Sequence, residues 1–242
     1  MYDRSVGEGS YVPPVCSCLS AEVDLFAALV IGAVGIDALR HVSHRRQLAL
    51  AVIPITLAAH QLIEVGVWWS LEGRIPEPAG SASTVGYLII ALIVVPILLP
   101  FAVRRVEPNP NRRRWMLPFV ALGVFSGVVF GLAMMVGPVH SSIGGHYIDY
   151  RVGSLFLEPF GVVYVAAVAV PLLMSSHRLF VWLGVVNVVL VAGLAVLQAN
   201  GVVSLWCAAA AIQSVVIAHY LRAESGDPWK LPQRLRSPLE AR

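Results

Sequence analysis

Seven apolar stretches, each about as long as a helix needs to cross a bilayer (~20 residues), constrain this chain more than any other feature. They run over roughly 20–40, 47–71, 85–106, 115–136, 153–175, 179–199 and 202–222. The segments between them are short and no internal repeat stands out, so the spacing predicts one compact unit. The expected fold class is all-α membrane, a single seven-transmembrane-helix bundle. Composition supports the class: 57% of residues are hydrophobic and 13% charged, where soluble domains carry about 45–50% and about 25%. Three domains are expected. Residues 1–19 form an N-terminal extracytoplasmic extension without the apolar core of a cleavable signal peptide. Residues 20–222 form the membrane domain. Residues 223–242, with Pro228, Pro232 and Pro238 among charges, form a disordered cytoplasmic tail.

Orientation follows from the bias of Lys and Arg toward cytoplasmic loops. With the N-terminus outside and the C-terminus inside, all of the 17 lysines and arginines except Arg4, Arg74 and Arg151 fall on the inner side. The basic loops then read as topology determinants beside anionic headgroups, and nucleic acid is not an expected partner. The expected partners are the lipid bilayer and a lipophilic small molecule.

Polar groups inside such helices are costly, by roughly 2.5–3.5 kcal/mol for a central charge on insertion scales, and mark function. The second helix concentrates them. His60, Glu64 and Trp68 are spaced i, i+4, i+8, and Gln61 reaches Glu64 by i+3, so all four share one face. That face must point into the bundle, because lipid satisfies none of these groups. Glu64, Gln61 and His60 are the candidate catalytic residues and Trp68 a candidate ligand contact. Trp69 fits the interfacial aromatic belt.

The outer loop over 137–151 holds two His, an Asp and two Tyr beside Gly144-Gly145. His146, Tyr147 and Asp149 are candidate ligand contacts, together with Glu158, one to two turns into the fifth helix. Loop histidines are more often merely solvated, and this alternative applies to His140 and His146 alike. In the first helix, Ser20 reads as an N-cap with Glu22 and Asp24 in the dipole-favoured first turns, and Asp37 with Arg40 as an i,i+3 ion pair. Pro96, Pro100, Pro159 and Pro171 predict kinks. Gly123, Gly127 and Gly131 predict a close-packing face, and Asn187 an interhelical hydrogen bond.

Cys18 and Cys207 open the first and last helices on the outer side, where disulfides persist. A Cys18–Cys207 bridge is expected, with Cys16 as the competing partner and a soft-metal site at Cys16-Ser17-Cys18 as the alternative.

The stretch Gln61-Leu62-Ile63-Glu64-Val65-Gly66-Val67-Trp68, the start Cys18-Leu19-Ser20-Ala21 and Ser204-Leu205-Trp206-Cys207 resemble an uncharacterised family of bacterial seven-helix membrane proteins. Its members begin Met-Cys-Phe-Ser and carry Gln-Leu-x-Glu-Gly-x-Val-Trp in helix 2. Here Leu19 replaces Phe, Val65 separates Glu64 from Gly66, and an extension precedes the cysteine. The resemblance implies a bacterial plasma-membrane location and favours the Cys18–Cys207 bridge; it implies no activity. A second likeness is architectural: integral-membrane terpene cyclases are similar in length and helix count and pair a helix-2 Glu with an Asp in the last helix, where this chain has Gln213.

Four functions compete. An acid shielded from water can hold a proton and donate it, so Glu64 as general acid on a prenyl-type molecule, in a cyclase or isomerase, is the leading expectation. A proton-linked transporter or sensor is the second, although the sequence shows no inverted repeat. A metal or haem site at His60 and Glu64 with His140 or His146 is the third, set back by the absence of a zinc HExxH pattern; no metal and no cofactor are expected. The fourth is a buried hydrogen-bonded knot with no catalysis. A retinal protein is excluded, because the only lysine, Lys230, lies in the tail.

Overall fold

The computed structural model describes residues 20–144, 148–153, 158–196 and 202–226, with the backbone alone at 158–159, 194–196 and 202–210. Seven helices make up most of the described residues. They are α1 (Ala21–Arg40), α2 (Leu48–Leu71), α3 (Glu77–Val106), α4 (Pro110–Val136), α5 (Glu158–Leu173), α6 (Arg178–Val196) and α7 (Val202–Glu224). Three of them are long and apolar enough to cross a membrane: α2 with the 3₁₀ turn that precedes it, α3 and α4. The apolar windows locate every helix, but α3 and α4 start earlier than hydropathy suggests. Pro78 and Pro110 explain the extra turns, since proline is tolerated where the backbone N–H has no intrahelical partner.

The loop expected over 137–151 is instead a β-hairpin. Strands β1 (Val139–Ile143) and β2 (Ile148–Val152) pair antiparallel, with Val139 opposite Val152 and Ile143 opposite Ile148. Alternate residues Ile148, Tyr150 and Val152 pack toward the helices, as the twofold side-chain period of a strand requires.

Helix α1 lies along α2, and α7 packs on both. The stripe of α1 that meets its neighbours is Ala21, Asp24, Ala28, Ile31, Gly35 and Ala38, where the alanines and the glycine let backbones approach. Gly66 of α2 faces Ser83 of α3 so closely that any side chain there would overlap the serine hydroxyl. Gly123 packs as closely against the Pro96 carbonyl of α3, and Gly127 makes a tight contact with Ile93, as the glycine pattern predicts. Within α3 the residues Ile90–Val94 form a π-helical turn ahead of Pro96. The Ala91 carbonyl in that turn accepts the Tyr164 hydroxyl of α5 at 3.0 Å.

Two apolar clusters form the core. One gathers Leu50, Leu99, Val103, Met116, Phe180 and Leu221 around the helix ends near the basic loops. The other gathers Val65, Val67, Trp68, Tyr87, Leu88 and Ile148 beneath the hairpin. Each contains a buried polar group of its own.

The ion pair expected between Asp37 and Arg40 is replaced by a longer-range one. Both Asp37 carboxylate oxygens accept from Arg222 of α7 at 2.7 Å, while Arg40 is exposed. A guanidinium arriving side-on presents two donors in one plane and outcompetes a neighbour on the same helix. The mid-helix amides behave as expected, with Gln213 Nε2 donating to Asn187 Oδ1 at 3.2 Å.

Candidate functional site

The sequence of α2 places four polar or amphipathic side chains on one face, and the structure buries all four. Exposure is 6% for His60, 2% for Gln61, 0% for Glu64 and 5% for Trp68. What they meet was not legible in α2 alone.

Asp24 of α1 is buried to 2% exposure against this face. Its Oδ2 accepts from Trp68 Nε1 at 2.8 Å, and its Oδ1 from Gln61 Nε2 at 3.5 Å. Asp24 lies in the first turn, as expected, but its carboxylate is engaged by α2 and not by the helix end. Ser20 makes no side-chain capping bond to the backbone, and Asp24 points away from the first turn into α2. A buried carboxyl group needs hydrogen-bond donors, and among the described residues the α2 face supplies them. Trp68 accordingly holds an acid through its indole N–H.

Glu64 accepts from the Tyr150 hydroxyl of β2 at 3.4 Å. Tyr150 stacks on Tyr87 of α3, with ring centroids 4.4 Å apart and planes 13° from parallel. Tyr87 in turn stacks on His60, at 3.9 Å and 22°. Three elements thus deliver three rings into one column, and the acid hangs from its hairpin end. The Gly66–Ser83 contact brings α3 near enough for Tyr87 to reach His60. Thr84, one turn before Tyr87, gives its hydrogen to the Gly80 carbonyl. Its oxygen lies 3.2 Å from Ser141 of β1, so Ser141 donates and ties the hairpin to α3.

One atom in the cluster lacks a donor. Gln61 Oε1 is buried and has no hydrogen-bond partner among the described residues. The amide that donates to Asp24 through Nε2 thus keeps an acceptor without a donor among the described residues. A proton held on one carboxyl group, or a water, would complete the set.

The other expected contacts fall elsewhere. Asp149 accepts from Arg151 at 3.2 Å on the hairpin, and His140 is exposed on β1. His146 and Tyr147 lie outside the described residues, as do Cys16, Cys18 and the side chains of Glu158 and Cys207. Among the described residues no three His, Cys, Asp or Glu side chains group as metal ligands. Asp24, Tyr87 and Tyr150 are the members that sequence reasoning missed. Asp24 carried a signal, since it lies on the small-residue stripe of α1. Tyr150 carried another, the alternation Ile148-x-Tyr150-x-Val152.

A second buried polar cluster lies at the far end of the bundle. Glu107 follows α3 and accepts from the backbone N–H groups of Asn109 at 3.0 Å and Ser176 at 2.8 Å. It also accepts from the Ser175 hydroxyl at 3.2 Å and from the Ser176 hydroxyl. Arg112 donates to the Met174 and Ser175 carbonyls at 3.0 and 2.9 Å, which closes the end of α5. His177 packs edge-on against Phe180 and Tyr220.

Residues 17–230 match the model of DUF6629, a family of unknown function, and the chain belongs to that family. No curated protein and no solved structure matches it.

Proposed function

We propose that the Asp24–Glu64 cluster is the acid site of a membrane-embedded cyclase or isomerase, with Glu64 as general acid toward a lipophilic, prenyl-type molecule. One observation carries this reading: two carboxyl side chains at 2% exposure or less are held beside one face of α2, next to the stacked rings of His60, Tyr87 and Tyr150. Shielding from water favours the neutral, proton-bearing form of a carboxylic acid. Aromatic faces stabilise positive charge developing nearby. Those are the two requirements of carbocation chemistry started by a proton.

In the proposed step the Glu64 hydroxyl proton goes to one carbon of a double bond. The π pair forms the new C–H bond, and the adjacent carbon becomes cationic beside the rings. Attack by a second double bond closes a ring, or loss of a neighbouring proton moves the double bond. In either case one proton returns to the carboxylate and none is consumed. Asp24, fixed by Trp68, supplies negative charge toward the cation. Gln61 and His60 position the two acids and the ring column.

The reading takes all seven helices as membrane spans in a bacterial plasma membrane, with the N-terminus and hairpin outside. The Lys and Arg distribution supports that orientation. Substrate would enter from the bilayer beneath the hairpin, where Tyr150 holds Glu64.

The test is deuterium transfer. Membranes holding the full chain are incubated in heavy water with geranylgeraniol and shorter prenyl alcohols. Wild type is expected to yield carbon-bound deuterium in rearranged products, and Glu64→Gln none. Equal labelling in the variant would overturn the role of Glu64.

A second reading is a proton relay in a transporter or sensor, favoured by the hydrogen bond through which the Tyr150 hydroxyl of the hairpin reaches the buried Glu64. Proton uptake into proteoliposomes under a pH gradient, abolished by Glu64→Gln, would select it over the enzyme.

A further inference from the structure

Far from the acid site, where α4 enters the bilayer, a cleft of about 600 Å³ is lined by Asn111, Arg114, Trp115, Leu117, Pro118 and Ala121. We infer that this cleft is a binding site for the headgroup and first acyl segment of an anionic phospholipid of the cytoplasmic leaflet. The inference rests on the membrane reading of α4 and is independent of the acid site.

The lining is graded from charged to apolar. Arg114, Asn111 and the Trp115 indole contribute donors at one end; Leu117, Pro118 and Ala121 form the floor at the other. No acidic side chain lines the cleft, and Arg114 makes no ion pair or hydrogen bond among the described residues. The acid nearest in sequence, Glu107, is turned into the bundle and engaged by Ser175 and Ser176. Arg105 and Arg113 flank the cleft in sequence and add to its positive charge. Phosphate is the complementary group, since guanidinium pairs with it in a planar, two-donor geometry.

Below the floor the apolar surface continues. Leu117, Val124, Phe125, Val128 and Leu132 are exposed at helical spacing along α4, over about 22 Å at 1.5 Å per residue. One leaflet of hydrocarbon is about 15 Å deep, so the stripe can carry a whole acyl chain. Trp115, 69% exposed, stands at the junction of the two surfaces, where tryptophan is enriched in membrane proteins. A free phosphate would use the charged end alone, whereas a phospholipid uses both.

The experiment is native mass spectrometry of the full chain in detergent, with phosphatidylglycerol and phosphatidylcholine of identical chains added together. Phosphatidylglycerol is expected to be retained about fivefold over phosphatidylcholine, the fold-change that one cation near an anionic surface supplies. Arg114→Gln should bring the ratio close to one. Ala121→Trp should lower retention of phosphatidylglycerol without changing charge, because it fills the floor. Arg45→Gln, equally exposed on a different basic loop, should leave the ratio unchanged. Excess inorganic phosphate should not displace the lipid. A ratio near one in the wild type, an unchanged ratio in Arg114→Gln, or an equal loss in Arg45→Gln would each overturn the inference. So would displacement by phosphate alone, or a gain in lipid on removing residues 227–242, which would assign the cleft to the tail. Thermal melts of each variant separate lost binding from lost fold.

Discussion

The two buried polar clusters are built from similar residues and differ in who supplies the hydrogen bonds. Glu107 receives two backbone N–H groups and two serine hydroxyls from the loops it joins. Backbone donors cannot leave without unfolding the turn that holds them, so this carboxylate is a fastener between the α3–α4 and α5–α6 connections. Asp24 instead takes both of its bonds from α2 side chains, one of them long. Glu64 hangs on a tyrosine of the hairpin at 3.4 Å, and Gln61 Oε1 has no donor at all among the described residues. A satisfied buried network specifies structure; an under-supplied one holds groups in reserve for a proton, a water or a ligand.

Removing each acid in turn is the sharpest way to break this comparison. Glu107→Ala strands four donors, one buried and three half-buried, and should cost about 3 kcal/mol, read as a large drop in melting temperature in detergent. The Asp37–Arg222 pair is partly exposed, which screens it. Arg222→Gln should therefore cost only about 1 kcal/mol, measured the same way. Asp24→Asn and Glu64→Gln keep shape and one acceptor oxygen each, and should shift stability by less than about 1 kcal/mol while deuterium transfer is lost. If Glu64→Gln destabilised the chain as strongly as Glu107→Ala, the acid cluster would be a second fastener and the contrast would fail.

The helices were legible because hydropathy over about 20 residues is a local property. The α2 face was legible for the same reason, since i, i+4 spacing decides which residues share a side. Contacts made at a distance were not. Trp68 and Asp24 are separated by 44 residues and sit on different helices, so a reading of α1 alone finds in the acid only a first-turn partner of the helix dipole. Asp37 was assigned to its neighbour Arg40 because the competing Arg222 lies at the other end of the chain. Glu107 and Ser175-Ser176 fall in short polar connections, where composition reads as solvated loop, and nothing local says that the two connections meet. The hairpin was hidden by its length: five-residue strands with His140, Ser141 and Ser142 on one side look like loop until Ile148, Tyr150 and Val152 are seen to alternate.

The smallest expected effect discriminates most finely. Tyr150 serves the acid site in two ways, as a ring stacked on Tyr87 and as a hydroxyl donating to Glu64. Tyr150→Phe removes the hydroxyl and keeps the ring. A long hydrogen bond that joins an already buried acid should cost about 0.5 kcal/mol, a barely measurable melting shift. Tyr150→Ala removes the ring as well, and should cost about 1 kcal/mol more for the lost aromatic pair alone. If Glu64 is a working acid, Tyr150→Phe should still transfer deuterium, because the proton that moves belongs to the carboxyl group and not to the phenol. In a relay running through the tyrosine, the same substitution would stop proton uptake with the stack intact. One conservative change, silent in stability, thus separates an acid that the hairpin merely holds from a chain in which the hairpin's tyrosine is itself a link.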